Sequence, residues 1–513
     1  MGSMGSASNV RDDPSAIHLD GRLGEHGDPA TRPEAANPAV AVGRNSILLV
    51  GGTLVARVSA FLAAIVAVRL LAQEAFAVVV LAQATVAYLS VVLDFGLTTA
   101  GMRAVAQGAT SLRRAIGAIL LIRVAVAIVG LVATAAAARL LGIQSEAFAV
   151  LMVFAVATAI AGLDLSWILQ GLQRMGLRAF VVAGTALLNL FLLVALLAVW
   201  RDPLAVAVGY LVATVVVVAT SAVLVLRAYG VPALPSPSFV RVLVLGAIPL
   251  GLGSVLAQVY YNFDILMLGA IRSLSEVAIY GAIYKIVLGL LMLAGTYGVV
   301  CLPAYAAAHA ESEQAFRRIL QRNVRLLSSF IVPVVILGTL AAESLVVFFF
   351  GDAYRLGGLP LAILLWSVAL SFVSSTLAYA LAAAGHGWHL TWATGAGAVV
   401  NVVTNLLLIP SLGMIGAAWA TVAAELAVLL VVWRASRRFA VSGLSRHLLL
   451  LIPPAAAMIG VSLLLAPWSR GIGAGIGLMV FLLLAVAIGV WTPDDRRLLR
   501  SVAVQLLPKR SAG

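Results

Sequence analysis

Lysine is nearly absent from this chain: Lys285 and Lys509 are the only two in 513 residues. They follow Tyr284 and Pro508, so no Gly-Lys pair exists, and the phosphate-cradling P-loop that needs one is excluded. Cysteine is scarcer still. Cys301 stands alone inside an apolar run, which excludes a disulfide framework and leaves a thiol redox function without a partner. Charged residues make up 10%, against about 25% in a soluble globular protein. No GxSxG motif occurs, and the only adjacent acidic pairs, Asp12-Asp13 and Asp494-Asp495, lie in the end segments. With no long loop to house a polymerase or ligase site, the reading is a non-enzyme, without catalytic residues or cofactor. His386 and His389, three apart with no third ligand nearby, read as a helix start, and no metal is expected.

What is present is apolar. Hydrophobic residues reach 63%, against about 45–50% in soluble chains, which no soluble fold of this length could hide. The fold class is therefore an all-α polytopic membrane protein. A spanning helix takes about 20 apolar residues. Fourteen runs qualify, at 46–70, 76–100, 115–139, 147–168, 177–200, 204–227, 241–268, 276–304, 325–350, 358–384, 388–410, 413–434, 447–466 and 472–491. Residues 1–43 differ. They are rich in Pro, Gly, Asp and Glu, hold six of the twenty acidic residues and lack the apolar core of a signal peptide. They read as a disordered cytoplasmic tail. Residues 493–513 read as a basic cytoplasmic tail.

The net charge of +13 does not point to nucleic acid, because the bases sit in short clusters between apolar runs, where they orient helices. With the N-terminus inside, twenty-one Arg and Lys residues fall at inner helix ends. Six fall at outer ends: Arg69, Arg139, Arg201, Arg272, Arg355 and Arg470. Both termini are therefore expected in the cytoplasm.

The chain also looks doubled. EAFAVVVLAQA at 74–84 resembles EVAIYGAIYK at 276–285, and GTALLNLFLL at 184–193 resembles GAVVNVVTNLLLI at 397–409. The pattern suggests two six-helix lobes, 44–230 and 231–440, with two further helices at 441–492. Repeats around a central site recur in transporters.

Three bases remain once the end clusters and the tail are set aside: Arg57, Arg123 and Lys285. An ionisable side chain at membrane depth is costly and normally faces a cavity or a partner. Their helical neighbours are small, with Ala60 beside Arg57, Ala127 and Gly130 beside Arg123, and Gly281 and Gly289 beside Lys285. Such neighbours leave room for a ligand or for another helix. Of the acids, Glu425 lies mid-helix and Asp264 follows Tyr260, Tyr261 and Asn262, whereas Asp94, Asp164 and Glu343 read as helix-end contacts. Two readings stay open for the deep set. In one, Arg57, Arg123 and Lys285 bind an anionic substrate and Asp264 or Glu425 couples transport to an ion. In the other, Arg57 or Lys285 forms a buried ion pair with Asp264 or Glu425, an arrangement of small net stability.

Four segments carry a family resemblance. LVARVSAFLAAIVAVRLLAQEAFAVVVLAQA (54–84), VVLDFGLTTAGMRAVA (91–106), NFDILMLGAIRSLSEVAIYGAIYKI (262–286) and IPSLGMIGAAWATVAAEL (409–426) resemble the Wzx-type polysaccharide flippases. These belong to the multidrug/oligosaccharidyl-lipid/polysaccharide exporter superfamily. The likeness covers roughly residues 44–440. Ala77 and Val79 stand where that family usually has Gly and Tyr, while Tyr280 keeps the second tyrosine. The resemblance implies two lobes around a cationic cavity in the bacterial cytoplasmic membrane. It implies as substrate an oligosaccharide on a polyprenyl pyrophosphate, moved from the inner to the outer leaflet among the membrane lipids. It leaves room for partnership with polysaccharide polymerase or chain-length machinery. Tyr260, Tyr261 and Tyr284 are candidates to stack on sugar rings, with ordinary helix packing as the alternative. Two rival functions are a cation-coupled multidrug antiporter, which would favour an acidic site, and a peptidoglycan-precursor flippase.

Overall fold

The computed structural model describes residues 38–106, 110–171, 174–439 and 444–497. Most of both expected tails, 1–37 and 498–513, lies outside the described residues. Two compact units are distinguished. Met1–Arg44 is described only from Pro38, where a helix already runs, inside the stretch expected to be tail. Asn45–Gly513 holds the remainder.

The described residues form α-helices and two short 3-10 segments, with no strand among them. In chain order the helices are α1 (Pro38–Leu70), α2 (Gln73–Asp94), α3 (Leu97–Ala106), α4 (Leu112–Leu140), α5 (Ser145–Ala161) and α6 (Ser166–Gly171). There follow α7 (Met175–Val199), α8 (Pro203–Tyr229), α9 (Pro237–Ile271), α10 (Leu274–Glu311), α11 (Glu313–Leu340) and α12 (Ala342–Phe350). The last six are α13 (Gly358–Ala383), α14 (Trp388–Leu412), α15 (Met414–Ser436), α16 (Leu444–Leu450), α17 (Ile452–Leu465) and α18 (Arg470–Ala487). Among the described residues thirteen stretches are long and apolar enough to cross a membrane, and Gly471–Ala487 is a shorter apolar helix. The protein is an all-α polytopic membrane protein.

Helix starts follow local chemistry. Ser111, Ser236, Ser273 and Ser312 each accept a hydrogen bond from a backbone N–H three residues on, and Asp202 accepts one from Leu204. Each satisfies a donor that the first turn would otherwise leave unpaired. The apolar run at 325–350, expected as one span, turns at Ala341 between α11 and α12. Glu343 in the first turn of α12 suits the positive end of that helix and pairs with Arg355 at 2.5 Å.

Three other runs read as single spans are broken, one of them, 447–466, at Leu451 between α16 and α17; the other two lie nearer the N-terminus. Asp94-Phe95-Gly96 separates α2 from α3, with φ of 35° at Phe95 and 77° at Gly96. A non-glycine residue at positive φ is strained and is held there only by its surroundings. Here α9 supplies them: a Cβ on Gly251 would stand 2.5 Å from the Phe95 ring, so only glycine lets the break lie against this helix. The second break lies at 162–165, between α5 and α6.

In the second unit, α5 packs on α2 and α8, and α7 on α8. Further along, α15 packs on α13 and α14, α10 and α11 on α13, and α9 on α14. These sets are linked by α2, which lies against both α9 and α10, and by α3, which lies against α9. The helices α17 and α18 pair with each other and rest on α11. Ser275 donates to Gln73 at 3.2 Å and Lys285 donates to Gln83 at 3.3 Å, both pairs 202 residues apart. That is also the separation of Glu74 from Glu276, the leading residues of the two similar motifs.

Candidate functional site

Arg57 of α1 and Lys285 of α10 line one cavity of about 320 Å³. At 1.5 Å rise per residue, Arg57 lies about 20 Å from the Leu70 end of α1, and Lys285 about 16 Å from the Leu274 end of α10. The sequence places them far apart; the contact of α2 with α10 and the inward face of α1 bring them to one space. Gln83, Asn189 and Tyr210 add polar groups to its wall. Lys285 Nζ donates to Gln83 Oε1 at 3.3 Å. Among the described residues no carboxylate lies within 4.0 Å of either base. The two ion pairs weighed in the sequence, to Asp264 or Glu425, are therefore not made.

The glycines flanking Lys285 divide the two roles that small residues can play. A Cβ on Gly281 would stand 2.7 Å from Val80, so this glycine lets α2 and α10 approach. Gly289 has nothing within 4 Å of that position and lines the cavity. Ala60, Ala63, Ala64 and Ala67 keep the α1 wall equally low.

Arg123 is elsewhere. It is 5% exposed and holds together the two broken spans nearer the N-terminus. Nη1 donates to the Gly162 carbonyl at 2.9 Å, and Nη2 donates to Asp94 and, at 2.7 Å, to Thr98. Broken helices at membrane depth need partners for the backbone groups they release. A guanidinium with five donors in a fixed fork fills that need at both breaks. Asp164 serves a helix end, accepting from Ser166 N at 3.0 Å.

The deep acids occupy separate places. Asp264, 1% exposed, accepts from Tyr280 Oη at 2.5 Å and from Ile265 N at 2.9 Å. Tyr280 Oη lies 3.4 Å from Thr421 Oγ1 and its ring stacks on Tyr284, with centroids 5.6 Å apart. Glu425, Tyr260 and Tyr261 line a second cavity of about 230 Å³. Tyr284 instead lines a small space of about 160 Å³ with Gln83, Asn262 and Lys285. Gln83, Asn189 and Tyr210 were not singled out from the sequence. The signal was there for two of them: Gln83 and Asn189 are isolated amides inside the repeated motifs.

Residues 42–309, which include α9, nearly all of α10 and every residue lining the cationic cavity, match the polysaccharide biosynthesis protein family. The chain belongs to this family. Among solved structures, this family member is similar to the lipid II flippase MurJ in an inward closed conformation. That likeness has a TM-score of 0.73 at 12% identity, over 86% of this chain and 99% of that one. It is also similar to an inward-facing multidrug resistance MATE transporter of the MOP superfamily, with a TM-score of 0.64 at 16% identity, over 78% and 99%. A third likeness is to a MOP superfamily transporter from Pyrococcus furiosus, described by the reverse polarity of its binding pocket. There the TM-score is 0.55 at 16% identity, over 80% and 97%. At such identities the structures share the fold. No curated protein matches the chain. The family and the helical architecture make this a polytopic membrane protein of polysaccharide biosynthesis.

Proposed function

We propose that this protein is a transporter, a flippase that moves an oligosaccharide linked to a polyprenyl pyrophosphate across the cytoplasmic membrane by alternating access. The observation that carries the reading is the meeting of Arg57 and Lys285 in one cavity without a carboxylate partner. Two uncompensated bases at membrane depth are costly unless an anion joins them, and a pyrophosphate supplies one with several acceptor oxygens. The two bases come from α1 and α10, the first helix of one proposed lobe and the second of the other. Rocking of the lobes 44–230 and 231–440 changes the distance between these walls. A ligand shifts such an equilibrium only through contacts that differ between the two states.

Asp264 is the carboxylate we assign to ion coupling, since it is enclosed among α9, α10 and α15 by Tyr280 and Thr421. Both termini face the cytoplasm in this reading, as the arginine bias requires. A cation-coupled multidrug antiporter is the second reading. It draws on the MATE likeness and on Glu425, but leaves the two bases without a purpose.

Arg57→Ala and Lys285→Ala test the proposal. A charged hydrogen bond is worth about 1.5–3 kcal/mol, so each loss should weaken substrate binding roughly ten- to hundredfold. Surface polysaccharide should fall sharply while membrane abundance holds, and Lys285→Arg should keep part of the activity, since charge remains and shape changes. Normal export by both alanine variants overturns the reading, and resistance to cationic drugs in place of export favours the antiporter.

A further inference from the structure

We infer that the cavity around Glu425 is a second subsite, built for the hydroxyl groups of a sugar ring in the transported glycan. The inference rests on the lipid-linked oligosaccharide reading above. The cavity lies among α9, α13, α14, α15 and the Leu291–Gly295 stretch of α10. A water needs only about 10–15 Å³ of such space, so about 230 Å³ is room for a small ring and not for one solvent molecule.

The wall is rich in hydroxyls. Tyr260, Tyr261 and Tyr379 contribute phenols, and Ser371, Ser374, Ser375 and Thr394 contribute aliphatic hydroxyls. Ser374 donates to the Ser371 carbonyl at 3.2 Å and Thr394 to the Leu390 carbonyl at 3.0 Å, so their oxygens are left as acceptors. Glu425, 4% exposed, is the cavity's one carboxylate, and no lysine or arginine lines the space. The Tyr260 and Ser371 hydroxyls lie beside the Glu425 carboxylate, and the buried Tyr260 hydroxyl stands too far from it to close a normal hydrogen bond. A buried hydroxyl left unmet is costly and asks for a partner.

A pyranose answers all of these groups at once. Each of its hydroxyls both donates and accepts, so one can donate to Glu425 while accepting from Tyr260. Its apolar ring face packs on an aromatic one, and Tyr260 and Tyr261, edge to face with centroids 4.9 Å apart, offer both a face and an edge. The pyrophosphate is excluded from this cavity by the carboxylate and the missing bases, just as it is drawn to Arg57 and Lys285. An organic cation would also use a carboxylate and aromatic faces, but it has no use for four aliphatic hydroxyls.

Calorimetric titration of the full chain in detergent tests the assignment. The probes are glucose, galactose, rhamnose and N-acetylglucosamine, with tetraphenylphosphonium as the cation. At least one sugar should bind at millimolar concentration and the cation should not. Tyr379→Phe, which keeps the ring and removes the hydroxyl, and Ser371→Ala should each weaken sugar binding about three- to tenfold. Glu425→Ala should abolish it, and the melting temperature of each variant reports folding separately. The Arg57→Ala/Lys285→Ala double variant should bind the free sugar as the parent does, so failure of the anion site and failure of this subsite read out apart. Absence of sugar binding in the parent overturns the inference. So does sugar binding that survives all three cavity substitutions in folded protein, or Glu425-dependent binding of tetraphenylphosphonium.

Discussion

Asp94→Ala should destabilise this protein more than Arg123→Ala, although both remove the same ion pair. The pair is asymmetric: the Arg123 side chain is 6% exposed and that of Asp94 46%. Removing Asp94 leaves a guanidinium buried with only the Thr98 hydroxyl and the Gly162 carbonyl, 2.7 and 2.9 Å away, as acceptors. An uncompensated buried charge of this kind costs about 3–5 kcal/mol. Removing Arg123 leaves a carboxylate that is half exposed and still accepts from Thr98 at 2.5 Å. The loss is then nearer one charged hydrogen bond, about 1.5–3 kcal/mol, with the Gly162 carbonyl released as well. Thermal melting of detergent-solubilised variants reads the order directly. Asp94→Asn, which keeps an acceptor, should fall between the parent and Asp94→Ala. The double variant Asp94→Ala/Arg123→Met should recover part of the loss, because neighbouring residues do not act additively. Equal melting temperatures for the two single variants, or the reverse order, would refute the role given to Arg123. So would Arg123→Ala protein of full stability that fails only in export, since that outcome makes Arg123 a substrate-binding base.

Three further outcomes follow. Reporter fusions after Arg201 and Arg355 should read as outside and those after Arg178 and Arg318 as inside, and opposite signals at two of these sites would overturn the topology. Gly281→Ala should lower the melting temperature, because its Cβ would stand 2.7 Å from the stiff Val80, whereas Gly289→Ala should be tolerated and Gly289→Phe should block export by filling the cavity. Burial alone would raise the Asp495 carboxyl, but hydrogen bonds from Thr492 and Arg325 and the Arg325 charge outweigh it and hold it below the usual carboxylate range. Because the folded group is the stronger acid, its stabilisation is complete above the unfolded value of about 3.9 and fades as pH falls below that. The melting-temperature gap between the parent and Asp495→Asn should therefore stay level from neutral pH to about pH 5 and shrink at lower pH, and a widening gap there would contradict the assignment.

The sequence alone determined the helices and the membrane. Composition leaves no other class for a chain this apolar, and a helix satisfies its own backbone hydrogen bonds, so each apolar run needs no distant partner to be recognised. It also marked Arg57, Lys285, Asp264 and Glu425, because a charge inside an apolar run is visible whatever it touches. What it could not decide is which of these charges share a space. Arg57 and Lys285 meet only because α2 packs against α10 and α1 lines the same cavity, and Arg123, likewise a lone base inside an apolar run, is consumed by Asp94 and the Gly162 carbonyl. The breaks at Phe95 and Gly162 were equally silent, since the apolar pattern runs through both and hydropathy carries no information about φ. Gly281 and Gly289 look alike on the page, and only the presence of Val80 opposite one and of empty space opposite the other gives them different work. Tertiary structure decided these points because they depend on the distance between residues far apart in the chain, and local pattern does not encode that distance.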